Sequence, residues 1–223
     1  MFHHLQVLFS ALGTRARTQA LDPESVDFAG CFPIHGFFYF RHIFNLVSVI
    51  IELPDLQSQT AFNMARWTEI LADPELTQLP YRIETDHYGH ILMSPPPAFS
   101  HGRRQSFICS LLSNLLPQGL TITECPVSTA GGVKAIDVGW LAPDRPEILL
   151  DPLLLTRAPE VCIEIISPSN SRSEIDHKRS LYFDADAAEV WICNLDGSLS
   201  FFLPPDRELS ASVICPAFPA RIA

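Results

Sequence analysis

Three charged residues stand where charge is expensive. Asp137 lies inside Val133-Lys134-Ala135-Ile136-Asp137-Val138-Gly139-Trp140, and Glu164 lies inside Val161-Cys162-Ile163-Glu164-Ile165-Ile166. Both runs are rich in β-branched residues and read as strands, where a buried carboxylate is costly unless something pairs with it. Two such carboxylates on neighbouring strands repel each other unless a cation sits between them. A divalent ion, Mg²⁺ or Mn²⁺, resolves that repulsion, and phosphodiester hydrolysis is the natural use for it. On this reading Asp137 and Glu164 hold the metal. The plainer reading has Asp137 capping a strand end and Glu164 pairing with an arginine.

Lys178 is the third residue. The chain has two lysines, Lys134 and Lys178, against thirteen arginines, so a lysine on a predicted helix stands out. Its ammonium is a compact point charge that can orient a water or stabilise a pentacovalent phosphate, although a solvated helix lysine is the commoner role. Tyr182, four positions on, shares its helix face and either packs on the sheet or reaches the phosphate. Glu84 ends a predicted hairpin strand and is a candidate third carboxylate. His101 opens a helix with Arg103 and Arg104 close behind, where side chains and free amides together can bind phosphate. Ser167, directly after the Glu164 strand, offers a hydroxyl to the same phosphate or simply begins a loop. Other chemistries find no support: there is no GxSxG elbow, no P-loop and no GxGxxG.

The elements that must position these residues follow from the pattern. Tyr81–Glu84 and His90–Met93 flank a turn and read as a hairpin, ended by the prolines at 95–97. Apolar residues at 107, 108, 111, 112, 115 and 116 predict a helix over 101–116. Strands follow over 120–127, 133–141 and 161–166, with 142–159 as a loop. Ser173-Glu174-Ile175-Asp176 has the form of a capping box, opening a helix through about Tyr182. A last hairpin, 189–195 with 199–203, turns at Asp196-Gly197, and the proline-bearing final twenty residues read as irregular. The order predicts an α/β fold of the α+β kind: a mixed sheet with helices packed on it.

Composition sets limits. The formal net charge of −10 is a poor match to a broad basic face tracking DNA, though metal sites need carboxylates. Six cysteines show no metal-ligand spacing; Cys162 and Cys193 fall in apolar strands as core residues, consistent with a reducing, cytoplasmic setting. Residues 1–63 read differently from the rest. The apolar run 37–51, interrupted by Arg41 and His42, is shorter than the roughly 20 residues of a membrane span, so no stable membrane association is expected. Met64 begins a predicted helix that stops at Asp73-Pro74. The expectation is an atypical extension over 1–63, arising from an upstream start-site assignment, and a domain over 64–223; the alternative is a real extension that packs on the domain or touches a membrane. Without the extension the chain loses three arginines and five carboxylates and stays acidic.

Three stretches carry a resemblance: LPYRIETDHYGHILMSPPPAFSHGRRQ, GGVKAIDVGWLAPDR and PEVCIEIISPSNSRSEIDHKRSLYFDADAAEVWICNLDG. In this order they resemble the Uma-type restriction endonucleases, a branch of the PD-(D/E)XK nuclease superfamily, over about residues 64–203. The resemblance implies a restriction-endonuclease-like core and metal-dependent cleavage of DNA, with a homodimer as one way to reach both strands. It matches Asp137 to the metal-binding aspartate and Glu164 to the acid of the following strand. The wider superfamily has a lysine two positions after that acid; here Ile166 stands there, and Lys178 matches a lysine displaced to the next helix. Glu84 matches an acid of the first hairpin and His101 a histidine before the first helix. A nuclease fold acting only as a binding module is the alternative.

Overall fold

The computed structural model describes residues 16–19, 37–42, 45–51 and 56–222, with side chains from residue 59 onward. The chain divides into two units, Met1–Asp55 and Leu56–Ala223. In the first, β1 (Ala16–Gln19), β2 (Phe37–His42) and β3 (Asn45–Ile51) form an antiparallel sheet in the order β1-β3-β2. The apolar run at 37–51 therefore holds two paired strands; its side chains, and Cys31, lie outside the described residues. Among the described residues no helix is long and apolar enough to cross a membrane.

The second unit opens with helix α1 (Leu56–Ala72) and a single turn, α2 (Pro74–Thr77), capped by the Asp73 carboxylate. The hairpin β4 (Arg82–Thr85) and β5 (Ile91–Ser94) precedes the long helix α3 (Phe99–Leu115). Strands β6 (Leu120–Thr129) and β7 (Gly132–Leu141), the turn α4 (Glu147–Leu150), strand β8 (Val161–Ile165) and helix α5 (Arg172–Asp184) follow. The chain closes with β9 (Glu189–Cys193), β10 (Leu199–Leu203) and β11 (Arg207–Leu209). Six of these strands make one sheet in the order β11-β10-β9-β8-β7-β6, parallel only between β8 and β9. The mixed sheet expected from the pattern is thus present.

Two helices pack on opposite faces of the sheet, and Trp67 and Ile70 of α1 pack with Val133 at its β7 end. Ile108 and Leu112 of α3 pack with Val138, Ile163 and Trp191, while Ile175 and Tyr182 of α5 pack with Ile136, Cys162 and Val190 on the other side. Burying a full Ile or Leu side chain contributes roughly 1.5–3 kcal/mol, so these two clusters are what fix the helices to the sheet. Cys125, Cys162, Cys193 and Cys215 are buried free thiols, as the apolar context of Cys162 and Cys193 predicts.

Three local expectations are corrected, and a fourth, the loop 142–159, gains its detail. α1 begins at Leu56 rather than at Met64, because its polar first turns are tied down: Gln59 donates to Asn63 Oδ1 and to the His87 carbonyl, and buried Asn63 donates to Ser128 Oγ and the Thr129 carbonyl. α3 turns Phe107 and Leu115 outward and buries His101 instead, so its apolar stripe is narrower than its composition. The cap of α5 is Ser171, two residues earlier than read: its hydroxyl accepts the Glu174 N–H at 3.1 Å, while Glu174 Oε1 accepts from Asn170 Nδ2. The loop 142–159 is organised by Arg145, which is 3% exposed and donates to both Glu147 carboxylate oxygens, to Glu160 and to the carbonyls of Arg157 and Ala158.

The final residues, though largely irregular, are packed. Buried Glu189 accepts hydrogen bonds from Trp191 Nε1, Ser212 Oγ and the Val213 and Ile214 amides at 2.7–2.8 Å. A carboxylate can be buried when this many donors face it.

Candidate functional site

The register of the sheet gathers the acids. The Ala130–Gly131 turn pairs Thr129 with Gly132, and the β6–β7 ladder runs on through Cys125↔Ile136. It skips one rung, Glu124 opposite Asp137, and resumes at Thr123↔Val138. At that rung Glu124 takes φ 51°, a left-handed conformation that costs a non-glycine residue on the order of 1–3 kcal/mol and concentrates at functional sites. On the other side, β7 and β8 pair from Trp140↔Val161 to Val138↔Ile163 and then part. The next position brings Asp137 opposite Glu164. In place of the missing ladder bond, the Ile165 N–H donates to Asp137 Oδ2 at 2.6 Å. Three carboxylates thus occupy equivalent positions on β6, β7 and β8. The sheet also reverses its alternation here: Ile136 packs on the α5 side and Val138 on the α3 side, although residues two apart on a strand normally share a face.

The fork between β7 and β8 is filled by β4. Thr85 Oγ1 accepts the Val133 N–H, Glu84 Oε1 accepts the Ala135 N–H at 3.1 Å, and Lys134 Nζ donates to the Thr85 carbonyl. The close approach requires Gly132, at φ 98°, where a Cβ would run into the carbonyl oxygens of Thr85 and Asp86. Arg82 and Glu84, two apart on β4, point the same way. Arg82 Nη1 donates to Asp137 Oδ1 at 2.6 Å, and its Nε lies 3.1 Å from Glu124 Oε2. Carboxylates directly opposite on paired strands repel, and Arg82 sits where that repulsion would be greatest.

α5 supplies the other cation. Its buried face is Ile175, Lys178, Leu181 and Tyr182. Lys178 Nζ donates to Glu84 Oε1 at 2.8 Å and lies 3.5 Å from Glu164 Oε2; the Tyr182 hydroxyl donates to Glu164 Oε1 at 2.5 Å. Burial pushes the Glu164 carboxyl up to about 7, against the pull of the Lys178 charge. Burial also works to raise Glu84, but Lys178 beside it, with Arg82 and the Ala135 N–H, more than offsets this, and its carboxyl falls below the ordinary value. Burial would likewise discharge Lys178, yet Glu164 and Glu84 hold it charged. Asp137, despite its burial, is kept ionised by His101 and Arg82.

On the α3 side, His101 Nε2 approaches Asp137 Oδ1 at 3.5 Å, too far for a directed hydrogen bond; it is buried without a hydrogen-bond partner. Contact with Asp137 raises the imidazole above its ordinary value. One ligand atom from each of His101, Glu124 and Asp137 lies within 4.8 Å of the others. Gln105 Nε2 bridges Glu124 Oε1 and the Asp137 carbonyl at 2.9 and 2.8 Å. The donor set fits a hard divalent cation: four carboxylates converge, Arg82 and Lys178 meet them in ion pairs, and the His101 Nε2 beside Asp137 has no hydrogen-bond partner.

Six of the residues singled out from sequence come together here: Asp137, Glu164, Lys178, Glu84, Tyr182 and His101. Tyr182 is 0% exposed, so its hydroxyl serves Glu164 rather than reaching solvent. Arg103 is exposed on α3. Ser167 is turned onto its own loop, its amide and hydroxyl both donating to Asn170 Oδ1. Arg82, Glu124 and Gln105 were missed. Glu124 was within reach, since a two-residue turn ending at Gly131 places position 124 opposite 137 on paired strands.

This is the fold of restriction-endonuclease-like nucleases. A crystal structure from Anabaena variabilis, described as that of "a putative nuclease belonging to DUF820", shares it with a TM-score of 0.52 at 18% identity, over 64% of this chain and 82% of that one. The family model Uma2, described as "Putative restriction endonuclease", matches residues 73–217, and the chain belongs to that family. No curated protein matches the chain.

Proposed function

We propose that the protein is a metal-dependent endonuclease that hydrolyses DNA phosphodiester bonds. The observation that carries this is Asp137 facing Glu164 at the first position where β7 and β8 part, with Lys178 directed at Glu164. Asp137 and Glu164 would hold Mg²⁺ or Mn²⁺; bound there, the ion supplies charge against phosphate–carboxylate repulsion and acidifies a water. The chain's own residues do the rest. Lys178 presents an ammonium to the attacking water or to the charge that develops on phosphorus. Glu84 fixes that ammonium, and Tyr182 holds one oxygen of Glu164 while the other lies 3.5 Å from Lys178 Nζ. Exposed Arg103, on the first turns of α3, would meet a phosphate backbone together with free helix amides, while His101 on the same turns is buried against Asp137. Two copies acting together would reach both strands.

A second reading, a nuclease fold that only binds nucleic acid or protein, is favoured by one observation: Arg82 already occupies Asp137 Oδ1. Plasmid nicking with Mg²⁺ or Mn²⁺ separates the two. The nuclease reading expects nicking by the wild type and none by Asp137→Ala or Lys178→Ala; equal activity in all three removes it.

A further inference from the structure

Two arginines of this unit, buried Arg145 and half-buried Arg82, are held very differently. Arg145 makes five hydrogen bonds, using every part of its guanidinium. Arg82 makes one, to Asp137, and its Nε and Nη2 are buried without hydrogen-bond partners. A guanidinium carries five donors in a rigid fork, so Arg82 is in place for its charge and not for its fit. What it neutralises is the Glu124–Asp137 rung. Beside that rung stands His101, 9% exposed, with an unpartnered Nε2 aimed at the same Asp137 oxygen. Two carboxylates and one imidazole nitrogen converge on a point now served by a badly matched cation.

We infer that His101, Glu124 and Asp137 form a divalent-cation position of their own, distinct from the Asp137–Glu164 fork, which Arg82 closes when no ion is bound. The ion and the guanidinium exchange: a dication meets the two carboxylates and the free imidazole nitrogen, and Arg82 is released. Its fork then suits the paired oxygens of a phosphate better than it suits the rung. The left-handed backbone at Glu124 is the local device that turns this carboxylate into the ligand set. Gln105 holds the other oxygen of Glu124 and so fixes its direction. The chemistry of the set, two oxygens and one nitrogen, suits Mn²⁺ better than Ca²⁺ or Mg²⁺, which prefer oxygen alone.

The test is Mn²⁺ binding by the full chain, read by calorimetry and by electron-spin-echo detection of coupled ¹⁴N, neither of which depends on cleavage. The wild type is expected to bind Mn²⁺ with a histidine nitrogen coupled to the ion, and His101→Gln to lose that coupling. Glu124→Gln, at a side chain that is 45% exposed, is expected to fold normally and to bind at least tenfold more weakly. Arg82→Gln, which removes the competing cation, is expected to bind at least tenfold more tightly and to regain on Mn²⁺ addition the thermal stability it loses without it. Binding with no nitrogen coupling and no response to Glu124→Gln overturns this inference while leaving the Asp137–Glu164 reading intact. No Mn²⁺ binding at millimolar concentration overturns both.

Discussion

Replacing Lys178 by methionine keeps the side chain's length and apolar stem and removes its charge. The change leaves Glu84, whose side chain is 14% exposed, without its ammonium. An unpaired buried charge costs about 3–5 kcal/mol, so Glu84 takes up a proton instead wherever that is cheaper. The cost of protonation is set by pH. From an ordinary glutamate value of about 4.3 to pH 7 is about 2.7 pH units, or about 3.7 kcal/mol, and to pH 5 it is about 1 kcal/mol. Glu164 adds little at pH 7, since burial already holds it near 7. Lys178→Met should therefore lower stability by about 3–4 kcal/mol at pH 7 and by about 1 kcal/mol at pH 5, relative to wild type at each pH. Urea unfolding at the two pH values measures both. A loss that is the same at pH 5 and pH 7, or below about 1 kcal/mol at pH 7, would refute the claim that this lysine neutralises a buried carboxylate.

Tyr182→Phe removes the hydroxyl from Glu164 and should cost about 1.5–3 kcal/mol in urea unfolding, the range for a hydrogen bond to a charged group; unchanged stability with a weaker KM for DNA would instead make the hydroxyl a substrate contact. His101, raised by Asp137, should titrate above 6.5 by NMR and fall back in Asp137→Asn. Because its folded value is raised, its contribution to stability is complete below about 6.5 and is lost as pH climbs through the folded midpoint; a midpoint unmoved by Asp137→Asn contradicts the contact. Gly132→Ala drives a methyl group into the β4 carbonyls and should destabilise by at least about 2 kcal/mol; a wild-type melting temperature would show that the hairpin yields freely.

The acid pair was legible because its neighbours are apolar. Asp137 and Glu164 sit among valines and isoleucines, so each charge demanded a partner. Lys178 was legible through the scarcity of lysine. Arg82 was not, for an arginine at the start of a hairpin strand is ordinary, and its task appears only once β4 docks in the fork. Nor did spacing alone show that Asp137 and Glu164 would face each other, because that depends on where the β7–β8 ladder stops. The start of α1 was hidden for another reason: Gln59 and Asn63 look like loop residues until long-range partners at His87, Ser128 and Thr129 satisfy them. Local propensity cannot register a hydrogen bond that closes across dozens of residues.

The Glu189 carboxylate gives the last stretch of chain an unexpected weight. Three of its four donors come from residues 212–214, so this proline-marked tail is a plug seated over an acid that the sheet cannot satisfy by itself. Clipping the chain before Ser212 would strand that acid against the core, and a tail that looks dispensable would prove as necessary to folding as any strand.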